Sequence, residues 1–199
     1  MIARTLRRPK CMGNLVITEF ITLDGVVEDP GGAEKSAFGG WAFRFDRGEN
    51  GDRLKFEELV AADAQLLGRR TYEGFAQAWP AMNDNDFGRK FNSMPKHVVT
   101  ATLTELEWEN SHPLGGDLID AVATLKQRYD GDILVSGSVQ LAQALLAAGL
   151  ADRLNLMVFP YVAGGGKRLF ADGAPPASFE LVDTEQAGQT VYLTLGRRE

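Results

Sequence analysis

The chain has 199 residues, 44% hydrophobic and 24% charged, which is a globular composition with material for one substantial core and too little for two ordinary domains. Asp and Glu number 27 against 21 Lys and Arg, and the net charge of −6 argues against a nucleic-acid partner, because phosphate binding draws on clustered positive charge. A single cysteine, Cys11, excludes an internal disulfide, and with only His97 and His112 a histidine-rich metal site is excluded too, so no metal is expected.

Residues 1–12 read as a flexible basic tail (Arg4, Arg7, Arg8, Lys10) with no apolar stretch of the kind a signal peptide needs, and Met12 offers an alternative start. Residues 13–199 read as one domain. Asn14–Leu23 is apolar and β-branched and predicts a buried strand, ended by Asp24-Gly25 and followed by a Gly/Pro-rich loop over 28–32. Phe38–Asp46 is aromatic-rich, with Trp41, Phe43 and Phe45 alternating. Arg53–Asp63 predicts a helix with Phe56, Leu59 and Val60 on its apolar face. A short strand, Ala64–Leu67, ends at Gly68. Thr71–Ala78 and Asp84–Met94 predict helices stopped near Pro80 and Pro95, and Lys96–Thr100 predicts a strand. Gly116–Tyr129 is the clearest helix, with Leu118, Val122, Leu125 and Tyr129 on one stripe. Strands are expected at Asp132–Val135, Arg153–Phe159, Ser178–Thr184 and Thr190–Leu195, with a helix over Ser138–Ala148 stopped by Gly149 and a turn around Gly188. The longest mostly apolar run, Ala144–Ala151, falls far short of the ~20 residues a membrane-spanning helix needs. No membrane association is therefore expected, and the cytoplasm is the default location.

Alternation of strand, helix and strand through the middle implies parallel pairing with crossover helices, and the strand-rich end implies an antiparallel edge. The expected class is α/β, a mixed and mainly parallel sheet flanked by helices. The dinucleotide fingerprint G-x-G-x-x-G is absent. Gly164-Gly165-Gly166-Lys167-Arg168-Leu169 lacks its last glycine and also fails as a P-loop, with Tyr161 and Arg168 at the wrong positions. Ser93-Met94-Pro95-Lys96 matches S-x-x-K only by spacing, since Pro95 disrupts the helix which that motif requires.

Three stretches lie at the C-terminal ends of expected strands, where open α/β sheets bind ligands. In Gly68-Arg69-Arg70-Thr71-Tyr72, helix amides and the Thr71 hydroxyl suit an anion, and Arg69 or Arg70 suits a further phosphate. The same residues also suit a plain capped helix with two solvated arginines. In Ser136-Gly137-Ser138-Val139-Gln140, Gly137 lets a phosphate approach and Ser138 caps a helix, and an ordinary strand–helix loop reads equally well. Thr100-Ala101-Thr102 is the third strand end. Together they fit an extended polyphosphate cofactor with an extra charge near Arg69, which is NADPH with its 2′-phosphate; a flavin is the alternative occupant. Asp24 suits orienting a substrate or relaying a proton, or a tight Asp-Gly turn. Trp41 and Phe43 suit the walls of a pocket for a flat heterocycle, or one buried face of a strand. Tyr72, Phe75 and Trp79 read mainly as core, with Tyr72 early enough in its helix to reach a cofactor. His97 reads as structural and His112 as solvated.

Val16–Gly25, Leu66–Pro80, Asn92–Thr100, Asp132–Leu145 and Gly164–Phe170, taken in order, resemble the dihydrofolate-reductase-like family. The resemblance is to its stand-alone branch, similar to the C-terminal reductase domain of the bifunctional riboflavin-biosynthesis enzyme (RibD). It implies a three-layer fold and an NADPH-dependent reductase, often a homodimer, acting on a small heterocycle. By that match Arg69 meets the 2′-phosphate, Thr71 and Ser136–Gln140 the pyrophosphate, and Thr100 and Ala101 the adenosine. Two positions depart from the pyrimidine reductases: Thr18 stands where they carry a lysine, and Ser136 where they carry a glutamate. For the family's substrate-binding carboxylate, Asp46, Glu49 and Asp52 lie in the right region. Two rivals stand beside the general reductase: a 5-amino-6-(5-phosphoribosylamino)uracil reductase, and a non-catalytic NADPH- or flavin-binding module.

Overall fold

Eight strands join in one sheet of order β4-β3-β2-β5-β1-β6-β8-β7 in the computed structural model, which describes residues 12–198. The basic segment 1–11, with Cys11, lies outside the described residues. The strands are β1 (Leu15–Thr22), β2 (Ala62–Gly68), β3 (Lys96–Val99), β4 (Ser111–Leu114), β5 (Asp132–Ser136), β6 (Arg153–Phe159), β7 (Phe179–Ala187) and β8 (Thr190–Arg197). The helices are α1 (Gly48–Ala61), α2 (Arg69–Ala78), α3 (Asp86–Ser93), α4 (Leu118–Arg128) and α5 (Val139–Ala147). Pairing is parallel from β4 through β6, and β7 and β8 add the antiparallel edge expected from the sequence.

Alternation along β1 sends its side chains to two cores. Leu15, Ile17 and Ile21 pack with Val122 and Leu125 of α4 and Leu141 and Leu145 of α5. Val16 packs on the opposite face with Leu59 of α1, Tyr72 of α2 and Phe91 of α3. A strand buried on both faces needs near-continuous apolar residues, and Leu15–Ile17 supplies them.

Four expectations are corrected. The helix placed at Arg53–Asp63 is α1: it starts earlier, at Gly48, and gives way to β2 at Ala62. Its buried face is Gly51, Leu54 and Leu59, while Val60 is exposed. Second, β4 has no counterpart in the sequence reading. It is a short, mostly exposed edge strand containing Pro113, a residue tolerated only at edges. Third, the aromatic alternation of Phe38–Asp46 does not make a strand, because this stretch is a loop with one 3₁₀ turn at Ala42–Arg44. Finally, the helix expected from Asp84 begins at Asp86, where the Asn85 side chain accepts from the Gly88 amide at 2.8 Å.

Candidate functional site

Strands β2 and β5 are neighbours, and each runs into a helix at its C-terminal end. Gly68 leads directly into α2, and Gly137-Ser138 leads into α5. The two turns are tied to each other: the Ser138 amide donates to Thr71 Oγ1 at 2.9 Å, and the Gly68 amide donates to Ser138 Oγ at 2.9 Å. Ser138 therefore does not cap α5 with its side chain, as expected from the sequence; the hydroxyl serves the neighbouring turn instead. Gly137 and Ser138 both take left-handed backbone, with φ of 60° and 59°. A Cβ on Gly137 would stand 3.2 Å from Thr71 Cγ2, so a bare glycine suits this close approach. The amides of Arg69, Arg70 and Thr71, and those of Val139, Gln140 and Leu141, head two first helical turns with no carbonyl behind them. Two such ends side by side make an anion-binding edge.

Arg69 lies 3.5 Å from Glu73 in an exposed contact, and Arg70 is exposed. Ser136 ends β5, Val139 packs against the core and Gln140 is exposed. At the end of β3, beside β2, Thr100 Oγ1 accepts from the amides of Thr102 and Leu103, and Ala101 is exposed. Tyr72 faces the core, where its hydroxyl accepts from the Trp108 amide at 3.0 Å.

The sheet opens beside this edge. β1 pairs with β5 only as far as Thr18–Ser136, but follows β6 to Thr22–Phe159. Asn14 O accepts from Ile133 of β5's side, and Leu15 O from Asp152 of β6's side. Backbone groups alternate sides along a parallel strand. The N–H and C=O of Phe20 thus turn toward the gap left beyond Ser136, one donor beside one acceptor.

The ring of Phe20 forms part of an open cleft of about 200 Å³ with Phe43, Phe45, Arg47 and Asp52. Arg47 and Lys55 lie over this ring at 5.4 and 5.7 Å. Phe43, 84% exposed, stands at the cleft, whereas Trp41 is fully buried edge-on to Phe159, its indole N–H donating to Glu28 O at 3.3 Å. Trp41 therefore supports the cleft from behind.

A buried polar centre lies on the Thr18 side of β1, and sequence reasoning missed it. Glu58 Oε1 accepts from Thr18 Oγ1 at 2.8 Å and from Lys55 Nζ at 2.5 Å. Its Oε2 accepts from Asn155 Nδ2 at 2.7 Å and from the Tyr192 hydroxyl at 2.6 Å. Burial alone would raise this carboxyl, but Lys55, Tyr192 and Asn155 outweigh it and hold Glu58 below the usual range. Of the candidates, Asp46 lies in the loop before α1, Glu49 in its first turn and Asp52 in its second. Glu58 was hidden because helical spacing alone does not say which acid of 49, 57 and 58 points at the sheet.

Asp24 is a clasp. It accepts from Thr22 Oγ1 at 2.6 Å and from the amides of Ala163 and Gly164 at 3.1 and 2.8 Å. These bonds, the Thr22 hydroxyl first, lower its pKa to about 2, so it has no proton to relay at neutral pH. The glycine run beyond it is a strap along the loop after β1: Val27 donates to Lys167 O, Leu169 donates to Gly25 O, and Val26 bridges Arg168. A side chain on Gly165 would stand 2.6 Å from the Phe38 ring.

Compared with known families, residues 14–193 match the RibD C-terminal domain. The chain belongs to that family. The uncharacterized protein YyaP of Bacillus subtilis is 25% identical over 174 residues, 85% of this chain and 87% of YyaP. A Shewanella structure named for riboflavin biosynthesis superposes with a TM-score of 0.74 at 21% identity, covering 94% of this chain and 99% of its own. A dihydrofolate reductase of Enterococcus faecalis, solved with NADP(H), superposes with a TM-score of 0.54 at 17% identity over 95% of this chain and 99% of its own. The fold of this RibD C-terminal domain is thus dihydrofolate-reductase-like. Among the described residues, no helix is long and apolar enough to cross a membrane.

Proposed function

We propose that the chain is an NADPH-dependent reductase of a small planar heterocycle. The observation that carries this reading is the tied pair of helix N-termini, Thr71 to Ser138, leading to the gap where β1 runs on past the end of β5, at Phe20. The residues fit such a cofactor. Six first-turn amides and the Thr71 hydroxyl would hold the pyrophosphate, and Gly137 keeps their approach bare. Arg69, held only by a long, exposed contact to Glu73, is available for the 2′-phosphate. Thr100 and Ala101 would border the adenosine, and Phe20 N–H and C=O would receive a carboxamide. When bound, the nicotinamide supplies a hydride.

The chain's own residues supply placement. The cleft of about 200 Å³ is smaller than the ~300–1,000 Å³ of drug-sized sites and suits one small ring against Phe20 and Phe43. Lys55 and Glu58 give the substrate side a fixed ion pair in a water-poor setting. The test is quenching of tryptophan fluorescence by NADPH and NADH, followed by oxidation of NADPH with pyrimidines, pteridines and quinones. Preference for NADPH with turnover of one class supports the reading, while binding without any turnover supports the non-catalytic module.

One observation favours a pyrimidine substrate as a second reading. Thr18 stands where the pyrimidine reductases carry a lysine, and here Lys55 Nζ lies 2.5 Å from Thr18 Oγ1. An ammonium is thus present beside that position by another route. Reduction of a phosphoribosylamino-pyrimidine, compared with pteridines and quinones, distinguishes the two readings.

A further inference from the structure

Glu19 lies between Thr18, the last β1 residue paired with β5, and Phe20, whose backbone faces the gap. Its side chain is 5% exposed, and Oε1 has no hydrogen-bond partner among the described residues. Ile17 and Ile21 lie on its face of β1, and Leu156 is its register neighbour on β6, so its surroundings are apolar. A bare carboxylate oxygen there is strongly disfavoured. Burial raises the Glu19 carboxyl well above the usual range; the charge of Lys55 opposes this and that of Glu58 adds to it.

A neutral carboxylic acid has one O–H to give. Beside it, Phe20 offers one N–H and one C=O. Two donors and one acceptor complement a primary amide, whose oxygen accepts twice and whose nitrogen donates. We propose that Glu19 is a ligand-binding acid, protonated in the folded chain, that donates a hydrogen bond to the carboxamide oxygen of a planar ring entering the gap between β1 and β5. This rests on reading the gap as the end of a nicotinamide cofactor edge.

The test is infrared difference spectroscopy of the full chain at neutral pH, with NADP⁺ as the probe and tryptophan quenching run in parallel. A carboxylic-acid carbonyl band is expected in the wild type, absent in Glu19→Gln, and shifted when NADP⁺ binds. Glu19→Gln, which keeps a donor, should bind NADP⁺ within about twofold of wild type, and Glu19→Leu about tenfold more weakly, the size of one lost hydrogen bond. Thermal melts of both variants control for folding. No band removed by Glu19→Gln means an ionised carboxylate and overturns the proposal. A band that stays put while quenching reports bound NADP⁺ makes Glu19 a structural acid, overturning the proposal but leaving the reductase reading intact. No quenching in the wild type overturns the reading, and the proposal with it.

Discussion

Thr71 and Ser138, 67 residues apart, are joined by a 2.9 Å hydrogen bond from the Ser138 amide to the Thr71 hydroxyl. Ser138 returns the tie through its own hydroxyl to Gly68, so two helix N-termini are held in one arrangement by two side chains. Thr71→Val removes the acceptor and leaves a partly buried amide unpaired, which costs about 1–3 kcal/mol. The expected result in denaturant unfolding is a loss of that size, with a weaker response to NADPH in fluorescence titration. Thr71→Ser should restore both. Unchanged NADPH affinity in Thr71→Val would show that the anion edge is set by other contacts.

Arg69 touches Glu73 at 3.5 Å, both side chains being close to half exposed. Such a pair contributes about 0–1 kcal/mol, so it does not withhold the guanidinium from a ligand. Arg69→Ala should leave stability nearly unchanged. It should weaken NADPH about tenfold or more, as expected for a lost charge-assisted contact, and NADH little. Equal losses for the two cofactors would sink the 2′-phosphate role and move attention to Arg70.

Lys96 is fully buried at the start of β3, at the end of that strand opposite the one that reaches Thr100. Its ammonium donates to the carbonyls of Asn92, Met94 and Glu109, and it lies 4.2 Å from the centre of the Trp108 ring. Those carbonyls close the α3–β3 turn and the approach to β4. Lys96→Met keeps the stem but removes three donors, so a loss of about 2–5 kcal/mol is expected in urea unfolding. NADPH affinity of the folded fraction should not change. A variant as stable as wild type would mean that the carbonyls find other donors.

The parts of this fold that were legible in the sequence are those set by local periodicity. β1 and β5 are β-branched runs and β6 a mostly apolar one, and their both-sided burial leaves little choice of structure; α4 displays its stripe from Leu118 to Leu125 with Asp117 accepting from two amides at its start. The turns at Gly68 and Ser136–Ser138 were legible as strand–helix junctions. That they bond to each other was not, because it depends on β5 inserting between β2 and β1, a pairing of residues distant in sequence. Phe38–Asp46 misled for a similar reason. Its alternation follows from Trp41 facing Phe159 while Phe43 faces outward, a loop shaped by tertiary contacts. Glu58 escaped notice because its partners, Thr18, Asn155 and Tyr192, come from three separate strands.

His97 supplies a pH window of its own. Its ring is buried, its Nε2 lies 2.8 Å from the Tyr129 hydroxyl, and its neighbours include His112. Burial first, then the charges of His112 and Arg128, lowers its pKa from 6.5 to about 4. Between those values the unfolded chain binds a proton that the folded chain refuses, so stability rises with pH across the window. The contribution is fully present above pH 6.5 and is lost as the pH falls toward about 4, by at most about 3 kcal/mol. Urea unfolding at a series of pH values should show this slope in wild type and a shallower one in His97→Gln, where the side chain no longer titrates. Asp24 acts lower down, with its stability lost as the pH falls from 3.8 through about 2, so the two contributions separate. Parallel slopes for wild type and His97→Gln would mean that His97 takes up its proton in the folded chain as readily as in the unfolded one, with Tyr129 yielding to admit it.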